Sequence, residues 1–186
     1  MPVPDLKGRL LVAAPGLFDA NFDRTVVLLV EHTDEGALGV ILNRPSDTTL
    51  SEALPDWGPL AASPPVVFEG GPVVPGGAIA LGRVRGGDDD VDGWTPVLGR
   101  VGLVDLGREA ALMSADLEAV RVFVGHAGWG PGQLEAEVAA GGWFVVDADP
   151  LDPLHAQPDR LWNTVLGRQR GRMAWFANCP PDPSTN

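Results

Sequence analysis

Four polar side chains stand at strand ends, and two of them could hold an anion. Arg24, Asn43, Arg44 and Glu69 each end an apolar run beside a glycine or proline turn, with Thr25 next to the first of them. A guanidinium offers a planar fork of N–H donors that matches a carboxylate or phosphate, so Arg24 and Arg44 are the natural contacts. The plainer reading, and the favoured one, is that they pair with Glu31 or Glu69 and pin loops together. A second candidate spans residues 122–135, where Val122-Phe123-Val124 runs into Gly125-His126-Ala127-Gly128-Trp129-Gly130-Pro131-Gly132 and leaves through Gln133-Leu134-Glu135. A glycine loop that opens a helix leaves N–H groups unspent at the positive end of a dipole, which suits an anion. In that reading Pro131 takes the first helical position, and His126, Gly128, Trp129, Gly130, Gln133 and Glu135 surround the guest. The alternative of equal weight is a tight strand-to-helix turn with Trp129 plugging the core. The stretch is not G-x-G-x-x-G, whose last position falls on Gln133, and it lacks the Lys-Ser/Thr of a P-loop. Glu69-Gly70-Gly71-Pro72-Val73 forms a second glycine corner.

Other chemistry is less well supported. Glu31, His32, Asp34 and Glu35 cluster at a hairpin end, where a metal or a general base is conceivable. The second histidine of H-E-x-x-H is missing, and neighbouring strand residues face opposite ways, so a solvated turn is expected. Nothing in the spacing argues His126 and His155 into a shared site with His32. Asp88, Asp90, Asp92 and Gly93 copy the opening of a calcium loop, yet Gly99 stands where the bidentate Glu belongs. Asp147, Asp149 and Asp152 fit turn chemistry as readily as magnesium. No serine lies in G-x-S-x-G, and Cys179 sits in a proline-rich tail, an unsuitable home for an activated thiolate. The expectation is no metal, no cofactor and no complete catalytic set.

Composition narrows the partners. The chain has 186 residues, a hydrophobic fraction of 45% and a formal net charge of −12, with a pI near 4.4. Such a surface repels phosphate backbones and anionic lipids, which disfavours direct nucleic-acid binding and membrane association. Arg168, Arg170 and Arg172 are too small a cluster to reverse that balance. A single cysteine fits a reducing cytosol. The apolar run at residues 10–14 is too short for a signal peptide, and no stretch approaches a membrane span. A cytoplasmic protein is expected.

Elements must position these residues. Strands are predicted at residues 10–14, 25–30, 38–42, 66–68, 78–81, 101–104, 122–124 and 143–146 from their β-branched and apolar runs. The second is apolar on both faces and therefore central, and Gly36 suggests a hairpin between it and the third. Thr49 and Glu52 match a capping box for a helix over residues 50–54. Residues 57–65 read as a loop, 86–93 as a mobile acidic loop and 114–119 as a brief helix. Leu134 and Val138 mark one helix, ended by Gly141-Gly142. Pro158 starts another, with Leu161, Trp162, Val165 and Leu166 as its stripe. The prediction is one α+β domain over residues 1–177, followed by a loose proline-rich tail over 178–186.

In this order and spacing, several segments resemble the YqgE/AlgH family of bacterial proteins. They are residues 15–28 with Asp19, Phe22 and Arg24-Thr25-Val26-Val27-Leu28; Glu31-His32; Gly36 with Leu42-Asn43-Arg44-Pro45; Phe68-Glu69-Gly70-Gly71-Pro72-Val73; residues 125–137; and Pro158 with Trp162. The resemblance implies a largely antiparallel or mixed sheet bent into a pseudo-barrel with flanking helices. It implies a proposed role in regulating transcription and no established catalytic residues. His126 replaces a usual tyrosine, Val30 a frequent cysteine and Ala20 a frequent proline. The basic surface of a DNA-binding regulator is absent. The functional expectation is a non-enzymatic module that binds a partner protein or small anion at the glycine corners. The alternatives are an enzyme of unknown reaction using His32, His126 or a metal, and a regulator that acts indirectly.

Overall fold

The computed structural model describes residues 4–15, 19–87 and 90–178, with the side chains of residues 74–76 left aside. Its strands are β1 (Leu10–Ala13), β2 (Val26–Thr33), β3 (Gly36–Ile41), β4 (Pro45–Thr49), β5 (Val66–Glu69), β6 (Val73–Val84), β7 (Trp94–Leu98), β8 (Val101–Val104), β9 (Leu117–Trp129) and β10 (Trp143–Val146). The helices are short: α1 (Leu50–Ala53), α2 (Ala110–Met113), α3 (Gln133–Ala139), α4 (Leu161–Gly167) and α5 (Arg172–Phe176). The strands follow the order β10-β1-β2-β3-β9-β6-β8-β7, antiparallel throughout. β5 inserts beside β9 as the parallel pair and carries β4 on its other edge. The sheet curls into a half-barrel flanked by helices, the α+β architecture expected.

β1 and β2 explain the curl. Both are buried along their apolar runs, because alternate residues serve different cores. Leu10, Val12 and Leu28 pack with Phe68, Phe123 and the α4 stripe of Leu161, Trp162, Val165 and Leu166. Leu11, Ala13, Val27 and Leu29 pack with Ile41, Trp129, Leu134 and Trp143. A third cluster joins Leu50 and Trp57 to Val120, Val122, Leu117 and Met113 at the far end of β9. Each large aliphatic side chain so buried contributes roughly 1.5–3 kcal/mol, so the two-sided burial of β1 and β2 anchors both layers.

The glycine corner departs from expectation. Residues 122–129 do not break after Val124, because β9 continues to Trp129. Gly125 keeps a positive φ of 75° within the strand, and ladder bonds on both sides override the local tendency of glycine to end an element. Ala127, Gly128 and Trp129 pair with β3, while His126 stands opposite Val73. Pro131 precedes the helix rather than opening it, since α3 starts at Gln133 with Gly132 as its cap at φ 71°. What the glycines allow is backbone contact. A Cβ on Gly70 would lie 2.3 Å from the Gly125 carbonyl oxygen, and one on Gly71 would lie 2.2 Å from the His126 carbonyl carbon.

Other expectations are met or corrected by name. The β2–β3 hairpin turns before Gly36, and Thr49 and Glu52 form the reciprocal capping box on α1. Residues 114–119 are not a helix. The helical turn lies earlier, at α2, and Leu117 already pairs with Val84 in the β6–β9 ladder. The expected loop at 57–65 contains a 3-10 turn, Pro55–Leu60, with Trp57 buried. β4, β7 and α5 went unforeseen, the first two because a proline sits in each, at Pro45 and Pro96. Both are positions a sheet tolerates, a strand start and an edge strand. Asp88, Asp89 and Cys179, and most of the tail, lie outside the described residues. No helix among the described residues is long and apolar enough to cross a membrane.

The glycine contacts set the first testable outcome. Gly71→Ala should lower unfolding free energy by at least about 3 kcal/mol, through overpacking of backbone on backbone. Gly132→Ala meets no neighbour within 4 Å and should cost about 1–2 kcal/mol from its left-handed φ alone. Urea unfolding of the two variants gives the comparison.

Candidate functional site

The expected contacts fall into three groups. The first is the β9–α3 corner. Gly130 donates its N–H to Gln133 Oε1 at 3.0 Å, and Gln133 Nε2 donates to Glu137 Oε1 at 3.0 Å. Glu137 Oε2 accepts both indole N–H groups, from Trp129 and Trp143, each at 2.9 Å. Phe22, Trp129 and Trp143 pack around this carboxylate with ring centroids 5.3–6.4 Å apart. The side-chain donors of this corner therefore converge on the chain's own Glu137, and the Gly130 N–H is taken by Gln133. The second corner is likewise engaged: Gly70 N–H bonds to the Val124 carbonyl and Glu69 N–H to the Arg44 carbonyl, each at 2.8 Å.

The second group joins His32 and Glu135. His32 is not in a solvated turn: β2 runs through it, and its side chain is 4% exposed. Leu6 N–H donates to His32 Nδ1 at 3.1 Å, so that nitrogen carries no proton. Nε2 therefore holds the proton and donates it to Glu135 Oε1 at 2.9 Å. Both ring nitrogens are spent on the protein, so this arrangement presents no general base to a substrate. The Glu135 carboxyl lies below its usual pKa range, held there by its own backbone N–H and then by His32. Glu31 faces outward on the same strand, His126 is half-buried and Gly128 is exposed.

The third group forms a cleft. Arg24, Asn43 and Arg44 line an opening of about 390 Å³ with Asp23, Asp159, Trp162 and Asn163. Arg44 also lines an adjoining one of about 110 Å³ with Asn21, Ile41, Glu69, Gly71 and Pro72. Arg24 has φ 51°, the only positive value at a non-glycine residue among those described. Asn43 holds this strained turn from both ends, accepting from Val26 N–H and donating to the Arg24 carbonyl, each at 2.9 Å. Thr25, buried, donates its hydroxyl to the Phe22 carbonyl at 2.8 Å. Locked in this way, Arg24 lays its guanidinium 4.6 Å from the Trp162 ring centroid, a cation–π contact. Arg44, half-buried, donates to the Ala20 carbonyl at 3.4 Å. Among the described residues no ion pair joins Arg44 to Glu31 or Glu69. Its tie to Glu69 is the backbone bond.

Arg121 was not singled out from the sequence, and the burial of Asp152 was not foreseen. Arg121 is 1% exposed on β9 and binds the carbonyls of Ser63, Pro153 and His155 at 2.6, 3.4 and 3.1 Å. It lies over the Phe68 ring, and burial, with Arg83 nearby, pushes its pKa down to about 10. Its interruption of the apolar run around Val120 and Val122 was the available signal. Asp152 is buried and takes a bidentate pair from Arg168 at 2.9 and 2.7 Å. It also accepts from Asp149 N–H at 2.7 Å, which makes this segment a turn. Among the described residues no set of three or more His, Cys, Asp or Glu could hold a metal ion.

A curled antiparallel half-barrel with a polar, arginine-lined cleft beside its glycine junction is the class that fold and site define. The chain belongs to the AlgH-like family, whose model matches residues 10–174. It is 49% identical to a UPF0301 protein of Streptomyces avermitilis, over 99% of this chain and 97% of that one. It is 43% identical to a UPF0301 protein of Mycobacteroides abscessus, over 96% and 87%. Its fold is similar to the crystal structure of a protein from Corynebacterium diphtheriae, with a TM-score of 0.88, 31% identity and coverage of 95% and 94%. The solution structure of the AlgH protein from Pseudomonas aeruginosa is similar with a TM-score of 0.68, 27% identity and coverage of 98% of both chains.

Two outcomes test these networks. Glu137→Ala should cost about 2–4 kcal/mol, since it strands two buried indole donors, and Glu137→Gln roughly half as much, with unfolding followed by tryptophan fluorescence. Glu135 has a folded pKa below its unfolded value of about 4.3. Its contribution is therefore complete above that value and is lost as pH falls through the folded pKa. The stability gap between the parent and Glu135→Gln should be present at pH 7 and shrink in acid, as urea titrations at several pH values would read.

Proposed function

We propose that this protein is a non-enzymatic binding module. Its guest is a small anionic ligand, seated in the cleft at Arg24, Asn43 and Arg44 beside the junction of the two glycine corners. The observation that carries the proposal is convergence. Arg24, Arg44, Glu69 with Gly71, and Trp162 come from four separate stretches of chain and line adjoining openings. A strained backbone at Arg24, over-determined by Asn43, is the kind of local cost that persists where a side chain must be aimed. Arg44 presents its fork where a carboxylate or phosphate can approach from solvent.

Three considerations favour binding over catalysis. His32 spends both nitrogens internally, the glycine-corner donors close on Glu137, and the cleft combines cations and carboxylates with no histidine, serine or cysteine among its lining. The formal charge of −12 weighs against direct contact with DNA, so any regulatory role would run through a ligand or a protein partner. A cytosolic setting agrees with the single cysteine.

Isothermal titration with a panel of anionic metabolites tests the proposal. At least one should bind saturably, and Arg44→Gln should weaken it at least tenfold while leaving the circular dichroism spectrum unchanged. Absence of any binder, or binding indifferent to Arg44→Gln, removes it.

A further inference from the structure

The lining of the cleft says more about its guest than that it is an anion. Around the two guanidiniums stand three carboxylates: Asp23 and Asp159 in the larger opening and Glu69 in the smaller. All three are exposed, and none makes a side-chain hydrogen bond or ion pair among the described residues. The amides, by contrast, are spoken for. Asn43 bridges Val26 and Arg24, and Asn163 donates to the Ala177 carbonyl.

A site for phosphate or another compact anion surrounds its guest chiefly with hydrogen-bond donors and cations. Here such a guest would lie beside Asp23 and Asp159, or beside Glu69, at a repulsive cost. A simple cation would meet Arg24 and Arg44. A molecule with a carboxylate at one end and an ammonium a few atoms away satisfies both walls, with the carboxylate on the Arg44 fork and the ammonium on the neighbouring carboxylates. The Trp162 ring is buried under Arg24 at 4.6 Å, so it holds that guanidinium in place at the floor of the cleft. The larger opening, about 390 Å³, stands at the small end of ligand pockets.

We infer that the cleft takes a small zwitterion, an amino acid or dipeptide. The inference rests on the anion-binding reading above, whose carboxylate end it keeps.

Titration of the full chain with free amino acids and dipeptides, set against acetate, inorganic phosphate and methylammonium, tests it. At least one zwitterion should bind tenfold or more tighter than any single-charge probe. Arg44→Gln should remove that binding, and Asp159→Asn should weaken the zwitterion severalfold without weakening acetate. Circular dichroism confirms that both variants fold. Acetate or phosphate binding as tightly as the zwitterions, in an Arg44-dependent way, overturns the inference and leaves the anion reading standing. Zwitterion binding that ignores Asp159→Asn, Asp23→Asn and Glu69→Gln also overturns it. If no probe binds, both readings fall.

Discussion

The close approach of two backbones at Gly70-Gly71 and Gly125-His126 is the constraint on which the rest depends. No side chain fits between them, so β5 can insert beside β9 as the parallel pair in the sheet. That insertion lets Ile41 N–H reach the Gly70 carbonyl at 2.9 Å, which brings the end of β3 to the end of β5. Asn43 and Arg44 follow from one strand and Glu69 from the other, and the cleft opens where the two chains meet. The glycines thus act on function through topology. They bring polar residues to one rim.

The interior pairs most of its buried polar groups with one another, and among the described residues Arg121 Nε is the buried side-chain atom left without a partner. Glu137 gathers two indoles and a glutamine, Asp152 gathers Arg168, and Arg121 gathers three carbonyls. Leaving such groups unpaired would cost about 1–3 kcal/mol each. At the cleft the exposed Asp23, Asp159 and Glu69 make no side-chain hydrogen bond or ion pair among the described residues, and solvent can substitute. This contrast separates the scaffold from the surface available to a guest.

Much of this architecture was legible in the residues. The doubly apolar run from Val26 to Val30 announced a central strand, Gly36 a hairpin, Thr49 and Glu52 a cap, and Leu161-Trp162 with Val165-Leu166 a buried helical face. What stayed hidden was long-range pairing. Gly125 and Gly128 look like breakers until β3 and β6 supply ladder bonds on either side of β9. Residues 117–119 look helical until Val84 claims Leu117. The site was half legible. Arg24, Asn43, Arg44 and Glu69 stood out as strand-end residues beside turns, but Asp159 and Trp162, which complete the rim, come from a segment far along the chain from all of them. His32 was misread because its partners, Leu6 and Glu135, lie 26 and 103 residues away.

The placement of β9 also bears on how the molecule is made. β3, β5 and β6 are all synthesised before the strand that joins them. Until residue 129 has left the ribosome, each of them exposes an unsatisfied edge, and pairings this distant close slowly. The nascent chain must therefore hold several sticky borders apart for most of its translation, a burden suited to chaperone attention, and the surplus of negative charge spread along it discourages those borders from meeting one another across neighbouring chains.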